Sequence, residues 1–113
     1  GTGVLTAVLL KRGVGMVVAS DASLRAVRCA RDNLIALGLD DRAHVIQADI
    51  YPKIQNTDGR VLADVIVCNP PWLPCAPSEN LLDKAVYDAD SYMLRGYLRG
   101  LKDNLTPEGR GFL

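Results

Sequence analysis

The chain has 113 residues, room for one small domain, and its 49% hydrophobic and 23% charged residues are the balance of a globular protein with a single core. Thirteen basic residues against thirteen acidic ones leave no net charge, which excludes the overall basic footprint of a non-specific nucleic-acid binder but not nucleic acid as a substrate. The longest apolar runs, "VLTAVLL" and "MVVA", are too short to span a bilayer, and "GTGVLT" lacks the basic region and cleavage site of a signal peptide. A cytoplasmic location with no membrane partner is the expectation.

The run "VLTAVLLK" contains no breaker and predicts a short helix over 4–11, with Gly13 supplying a left-handed cap. "MVVAS" follows as a continuous apolar run, which predicts a strand buried on both faces, as in a parallel sheet. In "SLRAVRCARDNLIALG", Leu24, Val27, Ala30, Leu34 and Leu37 recur at three- and four-residue spacing, Ser23 is the expected N-cap and Gly38 the stop. Arg25, Arg28 and Arg31 recur on the other side and read as a solvated face.

"AHVIQAD" predicts a second strand, "YPKIQNTDGR" a turn-rich loop and "LADVIVC" a third strand. A long loop is expected from Pro70 to about Asp88, then a helix over "SYMLRGYLRGLKDNL", and a turn with the first residues of one more strand in "TPEGRGFL". Alternating helices and strands predict an α/β domain with a parallel sheet. Cys29, Cys68 and Cys75 form no C-x-x-C pair, and with the lone His44 they give no zinc spacing. No metal is expected, and the thiols read as reduced and mostly buried.

Ligands of an open parallel sheet bind at the carboxyl ends of its strands. Three polar landmarks fall there, Asp21, Asp49 and Asn69, and the opening "GTG" adds a glycine turn whose N–H groups lead into the first helix. Asp21 lies eighteen residues after Gly3, near the offset of about 20 at which a carboxylate meets a ribose diol in nucleotide-binding βαβ units. Taken alone, an Asp that closes a strand is more often a helix N-cap, which is the bland reading of Asp49, and Asp21 is the better functional candidate of the two. "CNPPWLP" is the most unusual stretch: two adjacent prolines remove backbone donors and push Asn69 and Pro70 into extended conformations, leaving a rigid, carbonyl-rich corner beside the single tryptophan. The bland reading is that Pro70 and Pro71 merely end a strand while Trp72 fills the core.

In this order and at these separations, "GTGVL", "SDASLRAVRCARDN", "QADIY" and "DVIVCNPPW" resemble the class I S-adenosylmethionine-dependent methyltransferases, within them the small-domain group with an Asn-Pro-Pro-aromatic corner. The resemblance implies a Rossmann-like, mostly parallel sheet with flanking helices. It further implies an enzyme that moves a methyl group from S-adenosyl-L-methionine to a planar amine or amide nitrogen. It places Gly1 and Gly3 under the methionine part of the cofactor, Asp21 at the ribose hydroxyls and Asp49 at the adenine amine, with Ala22, Ile50 and Asn69 also cofactor-binding, and Asn69, Pro70, Pro71 and Trp72 at the target. The target it implies is a release-factor-like protein, RNA or DNA. "KAVYDADSYMLRGYLRGL" has a faint similarity to the segment after this corner in the enzymes that methylate a release-factor glutamine, with Ala89 where they commonly carry proline.

The family usually opens its glycine loop with Asp-x-Gly-x-Gly at the end of a central first strand, whereas this sequence begins at the later glycine and stops at "GRGFL". The resemblance therefore implies that residues 1–113 form a partial catalytic domain, without that first strand and the C-terminal strands. The rival enzyme class is a nicotinamide-dependent oxidoreductase, whose G-x-G-x-x-G fingerprint fails here because Thr6 holds the last position. A methyltransferase-like interaction module without turnover is the non-catalytic alternative.

Overall fold

In the computed structural model, which describes residues 1–76, 80 and 83–113, helix α1 spans Val4–Lys11 and Gly13 follows it at φ +95°. Strand β1 is Val17–Asp21, helix α2 Leu24–Ala36 and strand β2 Ala43–Gln47. Ser23 caps α2 by accepting the Ala26 N–H, and Gly38 turns the chain at φ +64°. Both glycines supply the left-handed conformation that a side chain disfavours. β1 and β2 pair in parallel, in register from Val17 opposite Ala43 to Asp21 opposite Gln47.

These elements belong to the first of two compact units, Gly1–Pro52 and Lys53–Leu113. The core of the first is Leu10, Val27, Ala30, Leu34, Leu39 and Val45, with Ala7, Val17, Ala19 and Ala43 packed against it. Only alternate residues of the two strands join this core, so β1 is covered on one face; Val18 and Ile46, on the opposite parity, are 37% and 36% exposed. That corrects the expectation of a strand buried on both faces: α1 and α2 both contribute to the same core. Leu24 and Leu37, at the ends of the α2 stripe, are exposed too. Arg31 is not simply solvated, since its Nε and Nη2 both donate to the Val45 carbonyl, at 3.1 and 2.6 Å.

In the second unit the turn-rich loop forms a two-residue hairpin, β3 (Gln55–Asn56) with β4 (Gly59–Arg60), Gly59 standing at φ +123°. Strand β5 is Ala63–Val67, helix α3 Tyr92–Asn104 and strand β6 Leu105–Phe112. β6 follows α3 directly and is longer than the few strand residues expected. It pairs with β5 in parallel, with an irregularity between Ala63 opposite Leu105 and Val65 opposite Arg110. The expected long loop includes residues 77–79 and 81–82, which lie outside the described residues. Its described part has a turn of 3₁₀ helix at Asp83–Ala85 and a bridge between Leu73 and Tyr87.

The expectation of mostly buried thiols is overturned. Cys29 and Cys75 are exposed and Cys68 is half-buried, all three free. Cys29 lies on the α2 surface opposite the Val27, Ala30 and Leu34 stripe, and Cys75 lies on a loop, so neither position is covered by packing. Among the described residues no helix is long and apolar enough to cross a membrane.

Candidate active site

In the first unit the glycine turn and both strand-end turns meet at the carboxyl ends of β1 and β2. Gly3 is the N-cap of α1 at φ +81°, and a Cβ there would sit 3.1 Å from the Ala30 Cβ and 3.3 Å from its Cα. Glycine is therefore required both by the dihedral and by the close approach of α2. Asn33, also on α2, donates to the Thr2 carbonyl at 2.9 Å, and Gly1 lies beside the Asp21 carboxylate.

Asp21 Oδ1 accepts the Ser23 N–H at 2.8 Å and its main-chain oxygen accepts the Ala48 N–H at 3.1 Å. Two reciprocal ties join the turns: the Ser20 hydroxyl donates to the Ile50 carbonyl at 3.2 Å, and Gln47 Nε2 donates to the Ala22 carbonyl at 3.0 Å. Ile50 stands at φ +58°, a strained conformation for a β-branched residue and one found disproportionately at ligand sites. Asp49 is exposed beside it. Gly1, Gly3, Asp21, Ala22, Asp49 and Ile50 thus gather on one rim. Ser20, Asn33 and Gln47 escaped the sequence reading, because each acts on a main-chain oxygen distant in sequence.

In the second unit, β5 runs into Cys68 and the 69–72 corner. Asn69 is exposed, Pro70 and Pro71 are half-buried, and Trp72 is 74% exposed. Trp72 therefore does not fill the core, and the bland reading of the corner loses its main support. Two anchors hold the corner: the Cys68 N–H donates to the Phe112 carbonyl at 3.0 Å, and the Trp72 and Leu73 N–H groups donate to the Val86 carbonyl at 3.1 and 3.0 Å. Burial pushes the Cys68 thiol up from its ordinary value.

Asp88 is buried and was not anticipated. Its N–H donates to the Leu73 carbonyl at 2.7 Å, while its carboxylate accepts the N–H groups of Met93 and Leu94 at 2.9 and 3.1 Å. Those are the second and third donors of α3, which Ser91 at the N-cap leaves without a side-chain acceptor. Asp88 thus fastens the corner segment to α3 across Ala89–Ser91, where Asp90 and Ser91 both stand at φ +54°.

Parallel strands with polar turns at their carboxyl ends and helices packed on them place the chain in the Rossmann-like α/β class. A family model described as methyltransferase small domain matches residues 1–96, and the chain belongs to that family. A tRNA1(Val) (adenine(37)-N6)-methyltransferase of Shewanella loihica is 28% identical over 117 residues, covering all of this chain and 48% of that protein. A putative protein N5-glutamine methyltransferase of Methanocaldococcus jannaschii is 25% identical over 126 residues, covering 96% of this chain and 60% of that protein. No solved structure matches the chain. The family match leaves the nicotinamide oxidoreductase reading without support.

Proposed function

We propose that this chain is the catalytic part of an N-methyltransferase that uses S-adenosyl-L-methionine and acts on a planar amine or amide nitrogen of a macromolecule. The observation that carries the reading is the outward presentation of the 69–72 corner: a polar Asn69 and a 74% exposed Trp72 at the end of a strand, fixed by main-chain anchors on either side. The relatives' names point to an adenine amine in tRNA and a glutamine amide in protein. In both, the nitrogen lone pair is delocalised into a π-system.

The residues of the first unit fit the cofactor. Gly3 lets the opening turn pack closely on Ala30, and the Asp21 carboxylate retains acceptor capacity for two ribose hydroxyls beyond the Ser23 N–H. Asp49 and the strained Ile50 turn supply polar groups for the adenine. When bound, S-adenosyl-L-methionine supplies an electrophilic methyl carbon on a sulfonium. The Asn69 side-chain oxygen and the Pro70 carbonyl each accept one N–H of the target, favouring a pyramidal nitrogen with an available lone pair and stabilising the positive charge that builds there. The methylated nitrogen then gives up a proton to water, so no protein base is required. Trp72 offers a flat face to the target, worth about 1–3 kcal/mol for a nucleobase.

The test is single-turnover methyl transfer by the complete protein to unmodified tRNA and to a release-factor protein, with calorimetric titration of the cofactor in parallel. Asn69→Ala is expected to abolish transfer and leave cofactor affinity within about twofold, since its carboxamide is assigned to the target. Asp21→Ala is expected to weaken cofactor binding by about 1–3 kcal/mol. Transfer that survives Asn69→Ala within a few-fold would overturn the assignment, and cofactor binding without transfer by the unaltered protein would make it a non-catalytic module.

A further inference from the structure

We infer that the hydroxyl of Tyr97, on α3, is a positioning group for the 69–72 corner, an inference that rests on the methyltransferase reading above. Tyr97 is buried, and its O–H lies 2.8 Å from the Phe112 carbonyl and 3.2 Å from the Ile66 carbonyl. One hydrogen is shared between the ends of two strands. The Phe112 oxygen is also the acceptor of the Cys68 N–H, so the hydroxyl, both strand ends and the first anchor of the corner converge within three residues of Asn69. A ring that merely filled space would need no hydroxyl, and a buried hydroxyl is costly unless it is bonded.

The corner's backbone makes this tie important. Val67 opposite Phe112 is the last pair of the β5–β6 ladder. Beyond Cys68, Pro70 and Pro71 have no N–H to extend it, and the Trp72 N–H turns instead to the Val86 carbonyl. The orientation of Asn69 is therefore inherited from the strand end just before it. β6 is also shaped to admit the hydroxyl: a Cβ at Gly111 would lie 3.2 Å from the Tyr97 oxygen and 2.6 Å from Leu101 Cδ2. The side chain that would crowd the tie is missing.

Tyr97→Phe in the complete protein keeps the ring and removes the tie. The expected result is a kcat lowered about 10- to 100-fold, with the substrate KM and the cofactor dissociation constant each within about threefold. The control is Thr106→Val, which breaks the 3.1 Å bond from Thr106 Oγ1 to Asp64 at the other end of the same strand pair and should leave kcat within about twofold. A second readout needs neither cofactor nor substrate: with Trp72 kept as the one tryptophan of the protein, its fluorescence anisotropy should fall in Tyr97→Phe and hold in Thr106→Val. A kcat unchanged by Tyr97→Phe, or lowered as much by Thr106→Val, overturns the inference. Full activity of Asn69→Ala would instead overturn the methyltransferase assignment of the corner, and the anisotropy comparison would still decide whether the hydroxyl orders it.

Discussion

In Gly1–Pro52 the glycine turn and both strand-end turns rest on an apolar cluster of Leu10, Val27, Ala30, Leu34, Leu39 and Val45. In Lys53–Leu113 the buried residues among those described are Tyr97 and Asp88, and each is there with its polar atoms bonded to main chain. Apolar packing spreads stabilisation over many weak contacts, so the loss of one group is partly absorbed by its neighbours. Hydrogen bonds concentrate it in a few atoms, and removing one partner leaves the other unsatisfied. The proposed cofactor rim, though its turns are hydrogen-bonded to one another, thus stands on a diffusely held core, whereas the proposed target corner has little beneath it but a small number of directional ties.

Asp88→Ala should test this difference most severely. It leaves two α3 N–H groups without their acceptor and is expected to destabilise the second unit by about 2–3 kcal/mol, the range for a lost cap plus a buried unpaired donor. Amide exchange should accelerate in α3 and in the 69–75 segment while the α2 amides near Val27, Ala30 and Leu34 keep their protection. Asp88→Asn, which retains one acceptor, should recover part of the loss. Equal acceleration in α2 would show that the two regions unfold as one and would break the comparison.

The same contrast governs what could be read in the sequence. The three helices, the parallel character of the strands and the polar turns at their ends follow from local features: apolar spacing, the Ser23 cap, and glycines at positions 13 and 38 that must turn left-handed. The rim of the first unit was legible for that reason, because Gly3, Asp21 and Asp49 each sit at an element boundary. Tyr97 was not, because its partners Ile66 and Phe112 are 31 and 15 residues away and an aromatic on an amphipathic helix looks like any other core residue. A signal existed in "EGRGF": at Gly109 a Cβ would meet the Ala63 oxygen at 2.9 Å, and at Gly111 the Leu101 side chain. Alternating glycines within a strand mark close approach. Asp88 was illegible for a related reason, since it caps α3 from three residues before Ser91, across a turn whose positive φ values leave no periodic trace.

Gly3→Ala sharpens the comparison from the other side. The new Cβ carries the cost of φ +81° and lies 3.1 Å from the Ala30 Cβ, together about 1–2 kcal/mol. Because α1 and α2 pack through a continuous apolar cluster, the strain should be shared across the first unit as a modest rise in exchange rates throughout. Trp72 anisotropy should not move. A local loss of protection confined to residues 1–5 would mean that the rim is as narrowly held as the corner.

The smallest expected effect is alkaline. Burial raises the Cys68 thiol above its ordinary value of 9.0, and burial first, then the neighbouring Cys68, raises the Tyr97 hydroxyl above 10.0 against the lowering effect of its bond to the Phe112 carbonyl. A raised folded value means that the folded chain keeps a proton that the unfolded chain releases, so the stability linked to these groups is complete below pH 9 and falls as pH rises towards their folded values. Both groups lie in the second unit, beside the strand ends that carry the corner. Urea melts followed by Trp72 emission should therefore show a midpoint constant up to about pH 9 and declining above it, with the Cys68→Ala, Tyr97→Phe double variant declining less steeply. Replacing both residues removes the titrating protons but also the hydroxyl tie, so the double variant should begin from a lower midpoint at neutral pH. An alkaline slope identical in the two proteins would place the sensitivity elsewhere, in groups other than the Cys68 thiol and the Tyr97 hydroxyl.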